Sequence, residues 1–292
     1  MALGPLGVWA VANLIPAGEA EAFARRVEAW GYSTLWVPEI TAKDPLVLAA
    51  FLLSATRRLT LATGIASLYL RHPAAMENAR RALAEHSSGR FLLGLGVSHG
   101  PFVEGVLGLR WERPVERMRR YLEAMAQAPW TGPDLQHRAP LLLGVTGPKM
   151  LALAAELADG AHPYNVTPEH TATAREILGP GKLLCPEQKV LLETDPERAR
   201  AVARRALALS LSLPNYRKSY LRQGFTEADL EGGGSDRLVD AIVAWGDEEA
   251  IRRRIQAHFD AGADHVAIQP LGRQGPRLSA EDERVLALLA PA

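Results

Sequence analysis

Short runs of consecutive apolar residues alternate along this chain with segments whose apolar positions recur every three to four residues. Continuous runs are what strands show when both faces are covered, and the longer spacing belongs to helices packed by one face. Runs at 6–11, 34–37, 59–64, 91–95, 141–144, 160–162, within 183–192 and at 265–269 predict eight strands. Helical patterns fall between them. One follows Pro16-Ala-Gly18 and stops at Gly31, and one opens at Asp44-Pro45. Others cover 73–86, 112–128, 147–158, 196–213 and 248–261, and 280–289 closes the chain. Asp44 is a helix N-cap with proline in the first turn behind it, and Gly31 suits a C-cap. Strand–helix alternation implies a parallel sheet. Eight strands over 292 residues favour a single α/β domain, a (β/α)8 TIM barrel, with a doubly wound sheet as the competing architecture. No compositional break marks a second domain. Within 1–292, residues 213–246, with the flexible-looking run Gly232-Gly-Gly-Ser235, are set apart as a lid or insertion, and 279–292 as a closing helix.

Composition narrows the function. Hydrophobic residues make up 48% and charged residues 23%, enough for a large core. Lys+Arg and Asp+Glu are both 33, and this zero balance argues against nucleic acid or an anionic membrane as partner. One cysteine, Cys185, allows no internal disulfide and fits the cytoplasm. No run reaches the roughly 18 apolar residues of a membrane span, and no basic-then-apolar leader opens the chain. The chain has no His-Glu-x-x-His and no Cys-x-x-Cys. Gly94-Leu-Gly96 lacks the third glycine of a dinucleotide fingerprint. The expected partner is a small molecule.

Four places carry candidate chemistry. Gly64-Ile65 falls where strand 3 leaves the barrel wall, and glycine there offers a side-chain-free surface for a flat ring; it also fits an ordinary strand end. Gly144-Val-Thr-Gly-Pro-Lys-Met150 turns from a strand into a helix and presents free N–H groups to an anion, although a plain βα turn has the same form. Ser98-His99 ends strand 4 at the face where barrel active sites lie, and histidine titrates near neutrality. Glu39, in Trp36-Val-Pro-Glu39, ends strand 2 and is either a second catalytic group, orienting substrate or His99, or a solvated carboxylate.

The stretch Leu59-Thr-Leu-Ala-Thr-Gly-Ile-Ala-Ser-Leu-Tyr-Leu-Arg-His-Pro73, followed by Gly89-Arg-Phe-Leu-Leu-Gly-Leu-Gly-Val-Ser-His99, resembles the bacterial luciferase-like flavin and deazaflavin enzymes. Thr-Gly-Pro148, its Leu/Ala-rich helix and Ala-Asp-Gly160 add to that resemblance, which spans nearly the whole chain. It implies a non-prolyl cis peptide at Gly64-Ile65, forming a bulge that backs the cofactor ring with Ser98 nearby. It further implies that Thr146, Gly147 and Pro148 hold the cofactor phosphate, with Tyr164 and Asn165 adding contacts. Arg71-His72-Pro73 matches a downstream pattern of the family. Two departures stand out. Some relatives carry a carboxylate where this chain has His99, and several carry a proton-transferring histidine where it has Ile40. The resemblance points to coenzyme F420 and hydride transfer to or from a small organic substrate. FMN-dependent monooxygenation and a non-catalytic ligand-binding barrel are the alternatives. A homodimer is also expected from it.

Overall fold

A computed structural model describes residues 3–272 and 279–291. From the amino end, β1 (Leu6–Trp9), a 3-10 turn (Ala12–Leu14) and α1 (Ala17–Ala29) lead to β2 (Thr34–Val37) and α2 (Pro45–Ala55). Next come β3 (Thr60–Thr63), the two-residue β4 (Ala66–Ser67), α3 (Pro73–His86), β5 (Phe91–Gly96), α4 (Gly100–Gly105) and α5 (Pro114–Ala126). Then follow β6 (Leu141–Val145), α6 (Pro148–Leu157), β7 (Gly160–Pro163), α7 (Pro168–Leu178), β8 (Leu183–Leu184) and β9 (Glu187–Leu192). Four helices, α8 (Pro196–Ser212), α9 (Pro214–Arg222), α10 (Glu227–Leu230) and α11 (Asp236–Ile242), precede β10 (Val243–Gly246). The chain ends with α12 (Glu248–Asp260), β11 (Val266–Pro270) and α13 (Ala280–Leu288).

The strands pair in parallel in the order β11-β1-β2-β3-β5-β6-β7-β8. β9 continues β8 past Cys185-Pro186 and pairs back onto β11, which closes a barrel of eight staves. The break in this seventh stave comes at Pro186, which has no N–H to give the ladder. Asp44 caps α2 as expected, its carboxylate accepting from the N–H groups of Leu46 and Val47. Leu6, Leu35, Leu61, Phe91, Leu93 and Leu143 point outward into the helix layer. Inside the barrel, Trp9, Trp36, Ala62, Leu92, Leu142, Cys185 and Ala267 form a separate plug. This plug makes the floor on which the mouth is built.

Some boundaries differ from the sequence reading. Strand 1 ends at Trp9, shortly before the 3-10 turn, rather than at residue 11. β10 was not anticipated; it runs beside the upper half of the seventh stave, with Val243 opposite Lys189 and Gly246 opposite Leu192. Residues 213–246 hold α9, α10, α11 and β10, and pack with α8 through an apolar cluster that includes Leu207, Leu211, Tyr220, Phe225, Leu238 and Val239. The glycine run is a bonded turn: Gly232, Gly233 and Gly234 all have positive φ, and Asp229 accepts from Ser235 Oγ. Among the described residues no helix is long and apolar enough to cross a membrane.

Candidate active site

Stave three changes register at its upper end. Ala62 lies opposite Leu92, but Ala66 lies opposite Leu95, so four steps on one strand meet three on the other. The extra residue makes a β-bulge, and the Gly64–Ile65 peptide inside it is cis. Thr63 fills the gap in the ladder: its hydroxyl donates to Gly94 O at 2.7 Å and accepts from Gly94 N at 2.9 Å. The Trp9 indole donates to Gly64 O at 3.0 Å and lies so near that a Cβ on Gly64 would sit 2.7 Å from its nitrogen.

The bulge swings Ile65 over the barrel axis, onto three glycines of the next two staves. A Cβ on Gly96 would lie 2.4 Å from Ile65 Cδ1, one on Gly144 3.0 Å from Cγ2, and one on Gly94 2.0 Å from the Thr63 carbonyl oxygen. Gly94, Gly96 and Gly144 continue the inner faces of the staves that bear Leu92 and Leu142 in the plug. The floor on this side is therefore main chain with one aliphatic side chain across it.

On the opposite side the floor is polar. Tyr164 packs against Trp9 with ring centroids 5.4 Å apart, and its hydroxyl donates to Gln269 at 2.9 Å. Lys189 Nζ sits 3.9 Å from the centre of the Tyr164 ring and donates to Asn165 Oδ1 at 2.6 Å and to both Glu187 oxygens at 3.2 Å. Burial pushes the Glu187 carboxyl above its ordinary value, against the pull of Lys189. Asn165 (φ 58°) and Ser98 (φ 62°) are left-handed non-glycine residues at upper stave ends, where such backbone tends to mark functional positions.

His99 follows Ser98 in extended conformation and caps the short α4. Its Nδ1 is 3.2 Å from Asn215 Oδ1, and its ring lies 5.4 Å from that of Tyr216. Tyr216 also touches Tyr164 at 6.1 Å, so aromatic rings run without interruption from the bulge to His99. Burial lowers the His99 pKa, and the bond to Asn215 opposes the shift. At neutral pH the imidazole is neutral.

The turn at Thr146 and Gly147 opens α6 with Pro148 in its first turn. Arg222, at the far end of α9, donates to Thr146 O at 2.5 Å, and its Nη2 is 3.0 Å from where a Gly147 Cβ would stand. Arg222 is exposed and has no carboxylate partner among the described residues, so positive charge meets the free N–H groups of the helix start. Gln223, the next residue, donates to Asn165 O and accepts from Thr167 N.

Glu39 stands apart from this group. One of its oxygens accepts from Arg71 Nη2 at 2.6 Å, the other from Arg71 Nη1 at 2.9 Å and from Ser67 N at 2.6 Å. Arg71 also reaches Asp44. With 5% of its side chain exposed, Glu39 is neither solvated nor bonded to His99. It ties the loop after β2 to the segment following the bulge.

A family model for the luciferase-like monooxygenases matches residues 1–265. The chain belongs to this family. A protein of Mycobacterium tuberculosis provisionally named a coenzyme F420-dependent oxidoreductase is 28% identical, over 90% of this chain and 93% of its own. Among solved structures, the coenzyme F420-dependent tetrahydromethanopterin reductase of Methanopyrus kandleri has the same fold, with a TM-score of 0.73, 15% identity and 98% coverage of both chains. So has the oxygenating constituent of 3,6-diketocamphane monooxygenase from Pseudomonas putida, solved with FMN, at a TM-score of 0.71, 15% identity and coverage of 98% and 96%.

Within this luciferase-like barrel the structure brings Gly64, Ile65, Ser98, His99, Thr146, Gly147, Pro148, Tyr164 and Asn165 to the upper ends of staves three to six. Sequence reading missed the three glycines under Ile65 and the whole contribution of α9. The signal for the first was present: Gly94, Gly96 and Gly144 fall at inward positions of their strands. The signal for Asn215 and Arg222 was absent, because they reach His99 and Thr146 from 116 and 76 residues away.

Proposed function

We propose that this chain is an F420-dependent oxidoreductase that moves a hydride between the deazaflavin ring and a small organic substrate, with His99 as proton partner. The observation that carries it is one mouth holding a flat main-chain floor at Gly64–Ile65, an anion-ready turn at Thr146–Gly147 and a neutral histidine. The fit of a ring and a phosphate rests on glycine: a side chain at Gly64 would collide with Trp9, and one at Gly147 would press on the end of Arg222. When bound, the deazaflavin supplies two-electron hydride chemistry.

The residues then divide the work. Ile65 and the Gly64 carbonyl, fixed by Trp9, present the surface for the ring, with Ser98 at its edge. Thr146, Gly147 and Pro148, with Arg222 above them, take the phosphate, and Tyr164 and Asn165 line the path between. His99 Nε2 has no protein partner among the described residues and is open to a substrate proton. It accepts that proton in one direction and returns it in the other. The relatives named for F420 favour the deazaflavin over FMN.

Tryptophan fluorescence of the purified protein, titrated with F420 and FMN in parallel, tests the reading, since Trp9 lies against the ring surface. Micromolar F420 binding with much weaker FMN binding is expected. Preference for FMN turns the reading to flavin-dependent oxygenation, and binding of neither overturns the phosphate turn. His99→Ala is expected to cut turnover by about 100-fold with F420 affinity nearly unchanged. F420 binding without turnover toward any donor, unaltered by His99→Ala, would leave a non-catalytic binding barrel.

A further inference from the structure

The loop that ends stave four supplies His99, but the group bonded to its Nδ1 comes from a distant insertion. Asn215 lies in the first turn of α9 and sets its carboxamide oxygen 3.2 Å from Nδ1. A carboxamide oxygen can only accept, so this bond requires the hydrogen to be on Nδ1. Nε2 then keeps its lone pair for the mouth. We propose that Asn215 is a positioning residue that fixes the Nδ1–H tautomer of His99 and thereby makes Nε2 the proton-accepting atom; its catalytic consequence rests on the hydride-transfer reading above.

The surroundings leave Asn215 as the group that decides the tautomer. Tyr216, the next residue of α9, faces the His99 ring, and burial holds its hydroxyl well above the ordinary tyrosine range, so it stays neutral. Trp111 covers the neighbouring Gly100 and does not titrate. From α4, Glu104 accepts from Trp111 N. Burial and Asn215 account for the His99 shift, and no carboxylate or cation among the described residues contributes. A neutral amide suits the task because it orients the imidazole while stabilising the imidazolium less than a carboxylate would.

The test is long-range 15N–1H correlation spectroscopy of 15N-histidine-labelled protein without cofactor, with His99 assigned among the eight histidines by its loss in His99→Gln. Wild type is expected to show Nδ1 protonated and Nε2 bare. Asn215→Leu removes the acceptor and is expected to shift His99 toward Nε2–H and lower kcat about tenfold or more, with KM for F420 unchanged. Asn215→Asp keeps the acceptor. It is expected to retain the Nδ1–H form and most of kcat, and to raise the acid limb of the pH–rate profile by about one unit. An Nε2–H signal in wild type, or an Nδ1–H signal that survives in Asn215→Leu, overturns the proposal. If Asn215→Leu does not fold, Asn215→Asp decides: an acid limb and His99 titration identical to wild type overturn it. The spectroscopic arm needs no turnover. A bare Nε2 in a protein that binds no F420 would sustain the tautomer assignment while sinking the hydride-transfer reading.

Discussion

The three glycines under Ile65 make a claim that can be measured as a coupling. A methyl at Gly96 would lie 2.4 Å from Ile65 Cδ1 and 2.7 Å from Cγ1, closer than carbon atoms pack. Either Ile65 leaves its rotamer or stave four moves, at about 1–3 kcal/mol by the usual cost of overpacking. In an Ile65→Ala background both atoms are gone, and the nearest one left is Cβ at 3.5 Å, an ordinary contact. Gly96→Ala should then cost almost nothing. The double-mutant cycle is therefore expected to give a coupling of about 1–3 kcal/mol, read from urea unfolding of the four proteins without cofactor. Gly94→Ala is the control. Its methyl meets the Thr63 carbonyl at 2.0 Å, so deleting the Ile65 side chain cannot relieve it. Additive effects at Gly96 and Ile65, within about 0.5 kcal/mol, would refute the view that Ile65 is seated by these glycines.

Other consequences can be checked separately. Arg222→Ala is expected to weaken F420 binding about tenfold or more, with the wild-type advantage shrinking at high salt; equal affinities at low salt would exclude Arg222 from the phosphate site. Glu39→Ala breaks a largely buried pair with Arg71 and is expected to cost about 3–5 kcal/mol in denaturant unfolding. A stable Glu39→Ala protein with lost turnover would restore the catalytic role. His162 and His265 are held down to about 4 and His258 to about 3, chiefly by burial. Each is neutral when folded and takes up a proton on unfolding below about pH 6.5, so stability is present at neutral pH and falls between about pH 6.5 and 4, by up to about 1.4 kcal/mol per pH unit for each. Flat unfolding free energy between pH 7 and 5 would contradict this. Finally, α2 exposes Val47 (70%) and Phe51 (40%) one turn apart although its other face is already in the core, and we propose this face as the seam of a homodimer. Val47→Asp with Phe51→Asp should yield monomers in sedimentation velocity, and a monomeric wild type would refute it.

How much of this was legible beforehand depended on distance along the chain. The staves and most of their helices were, because each rests on a local run, cap or proline: Asp44-Pro45, Gly147-Pro148 and Asp195-Pro196 all open helices where the sequence marks them, whereas α7 was passed over. Gly64–Ile65 was legible only through family resemblance, since a glycine at a strand end has many uses. The surroundings of Glu39 were not, because a strand-end position is shared by many carboxylates, and its partner Arg71 comes from 32 residues away. β10 was hidden because Val243-Ala-Trp-Gly246 follows α11 with no turn residue between them. The run at Gly232–Gly234 looked loose by composition, yet its glycines serve the positive φ angles of a tight turn.

The main-chain floor bears on how such a barrel changes its chemistry over evolutionary time. Side chains are what mutation replaces, and on the Gly64–Gly94–Gly96–Gly144 side only Ile65 offers one. That half of the site resists drift, since nearly every substitution adds bulk where none fits. The groups we propose for the proton and for the charge at the phosphate stand instead on the loop at His99 and on α9, whose lengths and sequences can vary without disturbing the staves. A lineage built this way can exchange substrates by rewriting its rim and inherit its ring surface intact.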